Sequence, residues 1–441
     1  MITVVGTGTG APLPPDAEAA LAEAELVVGA RRHLAAARLP DAAERIVLGP
    51  LAPALDAIER HLEKQPQPQK PEREPADQRR VVVLASGDPG FFGIVRALAE
   101  RFGSDRLEVR PGVSSVATAF ARLGLAWDDA VVVSAHGRDV RTAVNVCRAH
   151  PKVAVLTGPG AGPAELGAAL RSSGRLLVVA SALGSGTDPE TASETAAETA
   201  SGECVERVTP VEAAARDWGS AVSVVLCLDE SRVLTPVRTV AGRAPGPAQW
   251  ALDESEFTHR DSMITKFEVR ALALARLGPR LGDHIWDIGA GSGSVAVECA
   301  RLGAAVTAVE KTWDGVERVR ANAAAHGVDM TVVQGAAPTV LSGLPDPDAV
   351  FIGGGGQELP VIVTDCARRA RRAVVVAMAA LDRVPAARDA LVGAGLDCDG
   401  VLLQSSRLAP LPGDVTRLAA TNPVFLLWGV RPPARTEGVA Q

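Results

Sequence analysis

Residues 285–293 read Ile-Trp-Asp-Ile-Gly-Ala-Gly-Ser-Gly and run into Ser-Val-Ala-Val-Glu-Cys-Ala-Arg-Leu. A β-branched and aromatic stretch that ends in alternating glycines and then turns helix-forming predicts strand, tight turn and helix. That is the opening βα unit of an open α/β sheet. Glycine lets the backbone turn sharply and approach a ligand without Cβ interference. The next apolar run ends in Glu310, 23 positions after Asp287, where a carboxylate can accept both ribose hydroxyls of a nucleoside. Asp287, Gly289, Ala290, Gly291, Ser292, Gly293 and Glu310 are therefore the first candidate ligand-binding set. A purely structural turn and a dinucleotide site are the alternatives. The Gly-x-Gly-x-Gly spacing differs from the Gly-x-Gly-x-x-Gly of pyrophosphate binders.

With 441 residues, 47% of them apolar, the chain has material for two or three buried cores. No apolar run reaches the roughly 18–20 residues of a spanning helix, and no basic stretch with a cleavage site opens the sequence. The expectation is a cytoplasmic protein without a membrane partner. Six cysteines (147, 204, 227, 299, 366, 398) are scattered with no Cys-x-x-Cys pair, which argues for reduced thiols and against a structural metal. A net charge of −7, no tyrosine and only 3% aromatics disfavour nucleic acid as a partner.

Strand-like runs recur between helical patterns at 2–7, 26–29, 46–48, 81–85, 107–110, 131–134, 153–157, 176–180 and 222–228. Such alternation predicts parallel or mixed sheets flanked by helices. The proline-spaced stretch 65–80 and the Ser/Thr/Ala/Glu-rich stretch 184–203 read as surface insertions. Three prolines and two glycines within 236–250 mark a linker, separating a domain at 1–235 from one at 251–432. The second domain opens with a helix over 266–277 and continues with strands near 306–310, 331–334, 349–352, 373–378, 400–404 and 424–430, which with the strand at 285–288 make a seven-stranded sheet.

Three loops of the first half follow strands: Gly6-Thr-Gly-Thr-Gly10, Ser86-Gly-Asp-Pro-Gly-Phe-Phe-Gly93 and Arg110-Pro-Gly-Val-Ser-Ser115. Singly, each reads as a tight turn. Three at equivalent strand ends point to a ligand held where α/β sheets hold ligands, with free helix amides suited to an anion. Together with His136-Gly137-Arg138, these loops resemble the tetrapyrrole methylase family, in its CbiE branch. The second half resembles the class I methyltransferases in its Gly-x-Gly-x-Gly turn. From Phe257-Thr-His-Arg-Asp261 through Met263-Ile-Thr-Lys266 to Phe351-Ile-Gly-Gly-Gly-Gly356 it is similar to CbiT. A fusion in this order resembles the CobL family of precorrin methyltransferases, over almost the whole chain outside the two insertions and the last ten or so residues.

The resemblance implies an N-terminal tetrapyrrole methylase of two α/β lobes, followed by a class I Rossmann-like seven-stranded methyltransferase. It also implies one S-adenosylmethionine (SAM) per domain, no metal, a homo-oligomer, and a small-molecule tetrapyrrole substrate methylated at C5 and C15 with loss of CO2 from the C12 acetate. Gly87, Asp88, Pro89, Ser114, Ser115, Gly158 and Pro159 would border SAM in the first half. In the second half, Thr265 and the 289–293 turn would meet its methionine end, Glu310 its ribose, and Gly335, Ala336 and Ala337 its adenine. Ala336 stands where related sequences often carry an acidic residue, so the adenine contact must be backbone or apolar.

Methyl transfer to an electron-rich ring needs alignment and exclusion of water more than a strong base. Arg260 and Lys266 are candidates for ring carboxylates; Lys266 fits a solvated helix face equally well, and Arg270 fits that face better. His259 reads either as a proton donor or as a hydrogen-bonded loop histidine, and His136 and Arg138 are the equivalent candidates in the first half. The run Arg368, Arg369, Arg371, Arg372 reads as an exposed helix end. Two rival readings stand: a SAM-dependent enzyme acting on RNA or protein, and a chain in which one half only binds the corrinoid. The absence of Asn-Pro-Pro-Tyr at 353–356 disfavours nucleic-acid bases.

Overall fold

The computed structural model describes residues 1–10, 12–63, 80–183, 203–219, 223–234, 241–242, 246–247, 249–260 and 264–432. The stretches 65–80 and 184–203 fall almost entirely outside these residues, as does much of 236–250. Two compact units emerge. One comprises Met1–Arg138, Ala154–Ala168 and Arg175–Val237; the other comprises Asp139–Val153, Ala169–Gly174 and Arg238–Gln441.

The first unit begins with β1 (Ile2–Gly6), β2 (Leu26–Gly29), β3 (Glu44–Val47), β4 (Val81–Ala85) and β5 (Leu107–Arg110). They pair in the order β3-β2-β4-β1-β5, all parallel. A parallel sheet is covered on both faces at its centre, so β2, β4 and β1 are apolar at successive positions, while the edge strands β3 and β5 carry charges. Val81, Val83 and Ile2 pack toward Ile58 and Leu98 of flanking helices, while Val82, Leu84 and Val5 pack toward Ala17 and Leu21 on the other side. This geometry brings the loops after β4, β1 and β5 side by side.

The second sheet of this unit holds β6 (Val131–Ser134), β7 (Lys152–Leu156), β8 (Leu176–Ser181), β9 (Cys204–Val208) and β10 (Ser223–Leu228), in the order β6-β7-β10-β8-β9. β8 runs antiparallel to both β9 and β10. The helix Ser115–Leu123 joins the two lobes: its Val116, Ala119 and Phe120 share a core with Ala154, Val178 and Leu226, and Phe91 packs against that core.

The second unit carries β11 (His284–Ile288), β12 (Ala305–Glu310), β13 (Thr331–Gln334), β14 (Ala349–Ile352), β15 (Ala373–Met378), β16 (Asp397–Leu403), β17 (Ser406–Leu411), β18 (Val415–Ala420) and β19 (Val424–Val430). Seven strands form one sheet in the order β13-β12-β11-β14-β15-β19-β16, with β19 antiparallel to both neighbours. Chain direction across the sheet reverses between β11 and β14, so the crevice for a ligand lies above their carboxyl ends. The expected lobes and seven-stranded sheet are all present. Two elements were not expected from sequence: edge strand β9, and the hairpin of β17 and β18, whose Leu408 and Leu418 are exposed.

Candidate active sites

The turn after β11 is built from glycines that no other residue replaces cheaply. Gly289, Gly291 and Gly293 all have positive φ, at 74°, 58° and 73°, where a Cβ is strained. A Cβ on Gly289 would lie 3.2 Å from the amide nitrogen of Gly354, so the loops after β11 and β14 meet backbone to backbone at the switch point. The turn is held from below by the amides of Gly289 and Ala290, both donating to the Val309 carbonyl at 2.9 and 3.1 Å.

Two carboxylates flank the turn. Glu310 accepts from Gly291 N at 3.1 Å through Oε2, and from Thr312 N and Oγ1 at 3.0 and 2.9 Å through Oε1. Asp287 is buried. Its Oδ2 accepts from Ala296 N at 3.0 Å, while Oδ1 has no partner among the described residues. Burial pushes its carboxyl up to about 7, the charge of Glu310 adding to this and the Ala296 amide opposing it. Gly335 donates to the Glu310 carbonyl at 2.9 Å, which sets the 335–337 turn beside the strand end; Ala336 is exposed there and Ala337 packs into the core.

The segment before the helix Phe267–Leu277 is tied to this turn by Asn322. Its Oδ1 accepts from Thr258 N at 2.8 Å, and its Nδ2 donates to Thr258 O at 2.9 Å and to Ser292 O at 2.7 Å. His259 and Arg260 therefore follow a residue pinned to the glycine turn. His259 Nδ1 is buried without a hydrogen-bond partner among the described residues, and Arg260 is exposed. Thr265 and Lys266 lie half-buried at the start of that helix, with Lys266 as its N-cap residue. Asp261 and Met263 lie outside the described residues.

Arg270 is a correction. The expected solvated arginine is fully buried, donating to the carbonyls of Thr265 (2.6 Å) and Leu252 and lying 3.5 Å from Glu298 Oε1. Its guanidinium sits 5.0 Å from the Phe257 ring centroid. Glu298, also buried, accepts from the amides of Ala251 and Leu252. The pair locks the chain that leads into Thr258. Sequence reasoning missed Asn322 and Glu298 because each acts on backbone 30 or more positions away. Among the run 368–372, Arg369 and Arg372 are not free helix-end charges: Arg369 binds Asp346 and the carbonyls of Leu341 and Leu344, and Arg372 pairs with Asp283.

In the first unit the three glycine loops converge. A Cβ on Gly6 would lie 2.4 Å from Gly112 N and 2.5 Å from Gly87 O, and one on Gly112 would lie 2.6 Å from Gly8 N. Gly87 donates to Gly8 O at 2.8 Å. Asp88 Oδ1 accepts from Gly90 N at 2.8 Å, which shapes its own loop. Pro89 is buried beneath it. Ser114 caps the helix Ser115–Leu123 by accepting from Ala117 N at 3.1 Å, and the first helix amides, from Ser115 on, have no partner within the helix.

On the second sheet of that unit, His136 after β6 donates from Nδ1 to Thr157 O at 3.4 Å, after β7. A Cβ on Gly158 would lie 2.8 Å from that nitrogen, so glycine there makes room for the imidazole; Pro159 follows it in the same loop. The structure thus gathers Gly87, Asp88, Pro89, Ser114 and Ser115 at one strand-end cluster and His136, Gly158 and Pro159 at another.

The pattern of two unrelated glycine sites in one chain has relatives. A model of tetrapyrrole (corrin/porphyrin) methylases matches residues 1–200, and one of a precorrin methyltransferase domain matches 256–426. A precorrin-6Y C(5,15)-methyltransferase [decarboxylating] from Sinorhizobium sp is 37% identical over 374 residues, covering 81% of this chain and 79% of that protein. Its Mycobacterium tuberculosis counterpart is 33% identical over 362 residues, covering 80% and 81%. A cobalt-precorrin-7 C(5)-methyltransferase from Salmonella typhimurium is 33% identical over 186 residues, covering 41% of this chain and 83% of that protein. The chain belongs to the precorrin-6Y C(5,15)-methyltransferase (decarboxylating) family.

Proposed function

We propose that the chain uses SAM to methylate a precorrin ring twice, at C5 by the first unit and at C15 by the second, with removal of CO2 from the C12 acetate in the second. The observation that carries this reading is the pairing of two structurally unrelated glycine-lined sites in one chain whose full-length relatives share that paired activity. The residues of the second unit fit SAM. Glu310 offers a carboxylate at the strand end for ribose hydroxyls, Asp287 keeps a buried oxygen without a partner among the described residues, and Gly289 and Gly354 meet backbone to backbone. In the first unit the Gly6–Gly87–Gly112 cluster and the amides of Ser114 and Ser115 supply the equivalent backbone cradle.

SAM supplies an electrophilic methyl group when bound. The protein's task is then to hold the ring edge in line with it and to exclude water. The Thr258–Arg260 segment, pinned to Ser292 through Asn322, covers the second site, and Arg260 and Lys266 pair with ring carboxylates. His259, whose buried Nδ1 has no hydrogen-bond partner among the described residues, serves as a proton carrier there. Electrons left by decarboxylation pass into the conjugated ring, so no pyridoxal-type sink is required of these residues.

Mass spectrometry of the product from a precorrin-6-type ring and SAM tests the reading. The native chain should add two methyl groups and remove one CO2. Asp88→Ala should lose the C5 methyl alone. An unchanged ring, with SAM shown to bind, would refute the substrate and turn attention to RNA or protein acceptors.

A further inference from the structure

His33, Arg32 and Ser86 form a polar triangle at the ends of β2 and β4, next to the glycine cluster of the first unit. Ser86 Oγ lies 3.1 Å from His33 Nε2 and accepts from Arg32 Nη2 at 2.8 Å; Arg32 Nε donates to the same His33 Nε2 at 3.3 Å. An arginine N–H only donates, so Nε2 is an acceptor and the neutral ring carries its proton on Nδ1. In its contact with Nε2 the Ser86 hydroxyl is then the donor. The arrangement is a hydroxyl backed by a neutral base, the pattern by which enzymes make a hydroxyl a proton acceptor or nucleophile. Ser86 is exposed and immediately precedes Gly87, while His33 is half-buried behind it.

Charge balance gives this triangle a task. When a neutral ring takes a methyl from a sulfonium donor, the new carbon–carbon bond forms with a ring electron pair as the carbon–sulfur bond breaks. The donor leaves uncharged, the ring is left with one positive charge, and one proton must depart. We propose that Ser86 and His33 take that proton: Ser86 Oγ accepts it from the methylated ring as its own hydrogen passes to His33 Nε2. The resulting imidazolium, beside Arg32, releases the proton to solvent. This proposal rests on the assignment of C5 methylation to the first unit. Burial first, and the Arg32 charge second, hold the His33 imidazole below its usual value, with the Leu84 backbone opposing them. The base is therefore neutral and ready at pH 7, and Arg32 is the charged neighbour that bears on it.

The test uses the full chain, a precorrin-6-type ring and SAM, with C5 and C15 methylation read separately by mass spectrometry across pH 5–8. The native C5 rate should rise through a midpoint below 6.5 and then stay flat. His33→Gln should remove that limb and lower the C5 kcat by roughly 10²-fold, with C15 methylation and the KM for SAM unchanged. Ser86→Ala should give a smaller loss in the same direction, and His136→Gln should keep the limb. A second readout needs no turnover: imidazole nitrogen NMR of the ligand-free chain at pH 7 should show His33 protonated on Nδ1. A C5 rate within twofold of native in both the His33 and Ser86 variants, or a limb that survives in His33→Gln, overturns the proposal. So does an Nε2-protonated ring. A native chain that adds its methyl at C15 but none at C5 fails the underlying assignment instead, and the proposal falls with it.

Discussion

Replacing Asn322 by Asp changes one atom and tests how the second site is held closed. Asn322 makes three hydrogen bonds; Asp keeps the one in which Thr258 N donates to Oδ1 at 2.8 Å. The other two, in which Nδ2 donates to Thr258 O and Ser292 O, become oxygen–oxygen contacts at 2.9 and 2.7 Å. Losing two bonds costs about 2 kcal/mol. A buried carboxylate facing two carbonyls adds a further cost, limited to about 4 kcal/mol at pH 7, because beyond that the group takes up a proton. The introduced Asp has a folded pKa raised above its unfolded value, so its penalty is small below about pH 4 and grows as pH rises toward 7. The lower figure alone corresponds to a melting midpoint down by roughly 4–8 °C for a domain of this size. Thermal unfolding at pH 5 and 7.5, with the SAM KM for C15 methylation, reads both consequences. The variant should be less stable, more so at pH 7.5, and its KM should rise as Thr258 detaches from Ser292. A stability difference that does not change with pH, or an unchanged KM, would refute the role assigned to Asn322.

Asp287→Asn should flatten a pH slope. The native carboxyl sits at about 7 against about 3.9 unfolded, so its contribution is fully present below pH 4 and lost as pH rises through 7. Urea unfolding should show the Asn variant gaining on native between pH 5 and 7.5, and parallel curves would count against the burial argument. Glu310→Ala should raise the SAM KM for C15 methylation and spare C5; full C15 activity at limiting SAM would exclude the ribose assignment. Arg407 holds the Glu254 carboxyl down to about 2 by hydrogen bonding, and that contribution is present above pH 4.5 and lost as pH falls through 2. Arg407→Met should therefore move acid unfolding to higher pH in a circular dichroism titration, and an unmoved midpoint would contradict this. Gly112→Ala places a Cβ 2.5 Å from Gly87 O, 2.6 Å from Gly8 N and 2.8 Å from Gly6 O, all backbone. It should abolish C5 methylation and leave C15 intact, and retained C5 activity would mean the loops can part without loss.

The central strands β2, β4, β14 and β15 were legible because parallel strands covered on both faces are apolar at successive positions; β5, β6, β13 and β19 also run where the residue pattern puts them. The pattern fails where burial is one-sided or absent. β9 is an edge strand with charged positions, and in β17 and β18 Leu408, Leu418 and Val415 face outward, so no alternation marks them. β16 begins earlier than its apolar run because Asp397 and Asp399 occupy outward positions of an alternating strand. The glycines of both sites were legible from their turns. Arg270 was not: Leu274 and Leu277, four and seven positions on, place it on the buried face, but the Glu298 that balances its charge lies on another helix.

The two units reach a similar end by different chemistry. Both bring backbone against backbone, through Gly6, Gly87 and Gly112 in one and Gly289 and Gly354 in the other, so a ligand can rest on main chain. Only the second adds carboxylates at its strand ends, Asp287 and Glu310, which suit a ligand presenting hydroxyls and positive charge. In the first unit, Asp88 is engaged with the Gly90 amide, and the polar groups at the neighbouring strand ends are Ser86, His33 and Arg32. On the proposed assignment, recognition there leans on amides, and Ser86 and His33 serve the reacting ring. A carboxylate substitution should therefore register in the second unit chiefly as cofactor affinity. Side-chain changes around β2 and β4 should register in the first as rate, and glycine substitutions as loss of the site itself.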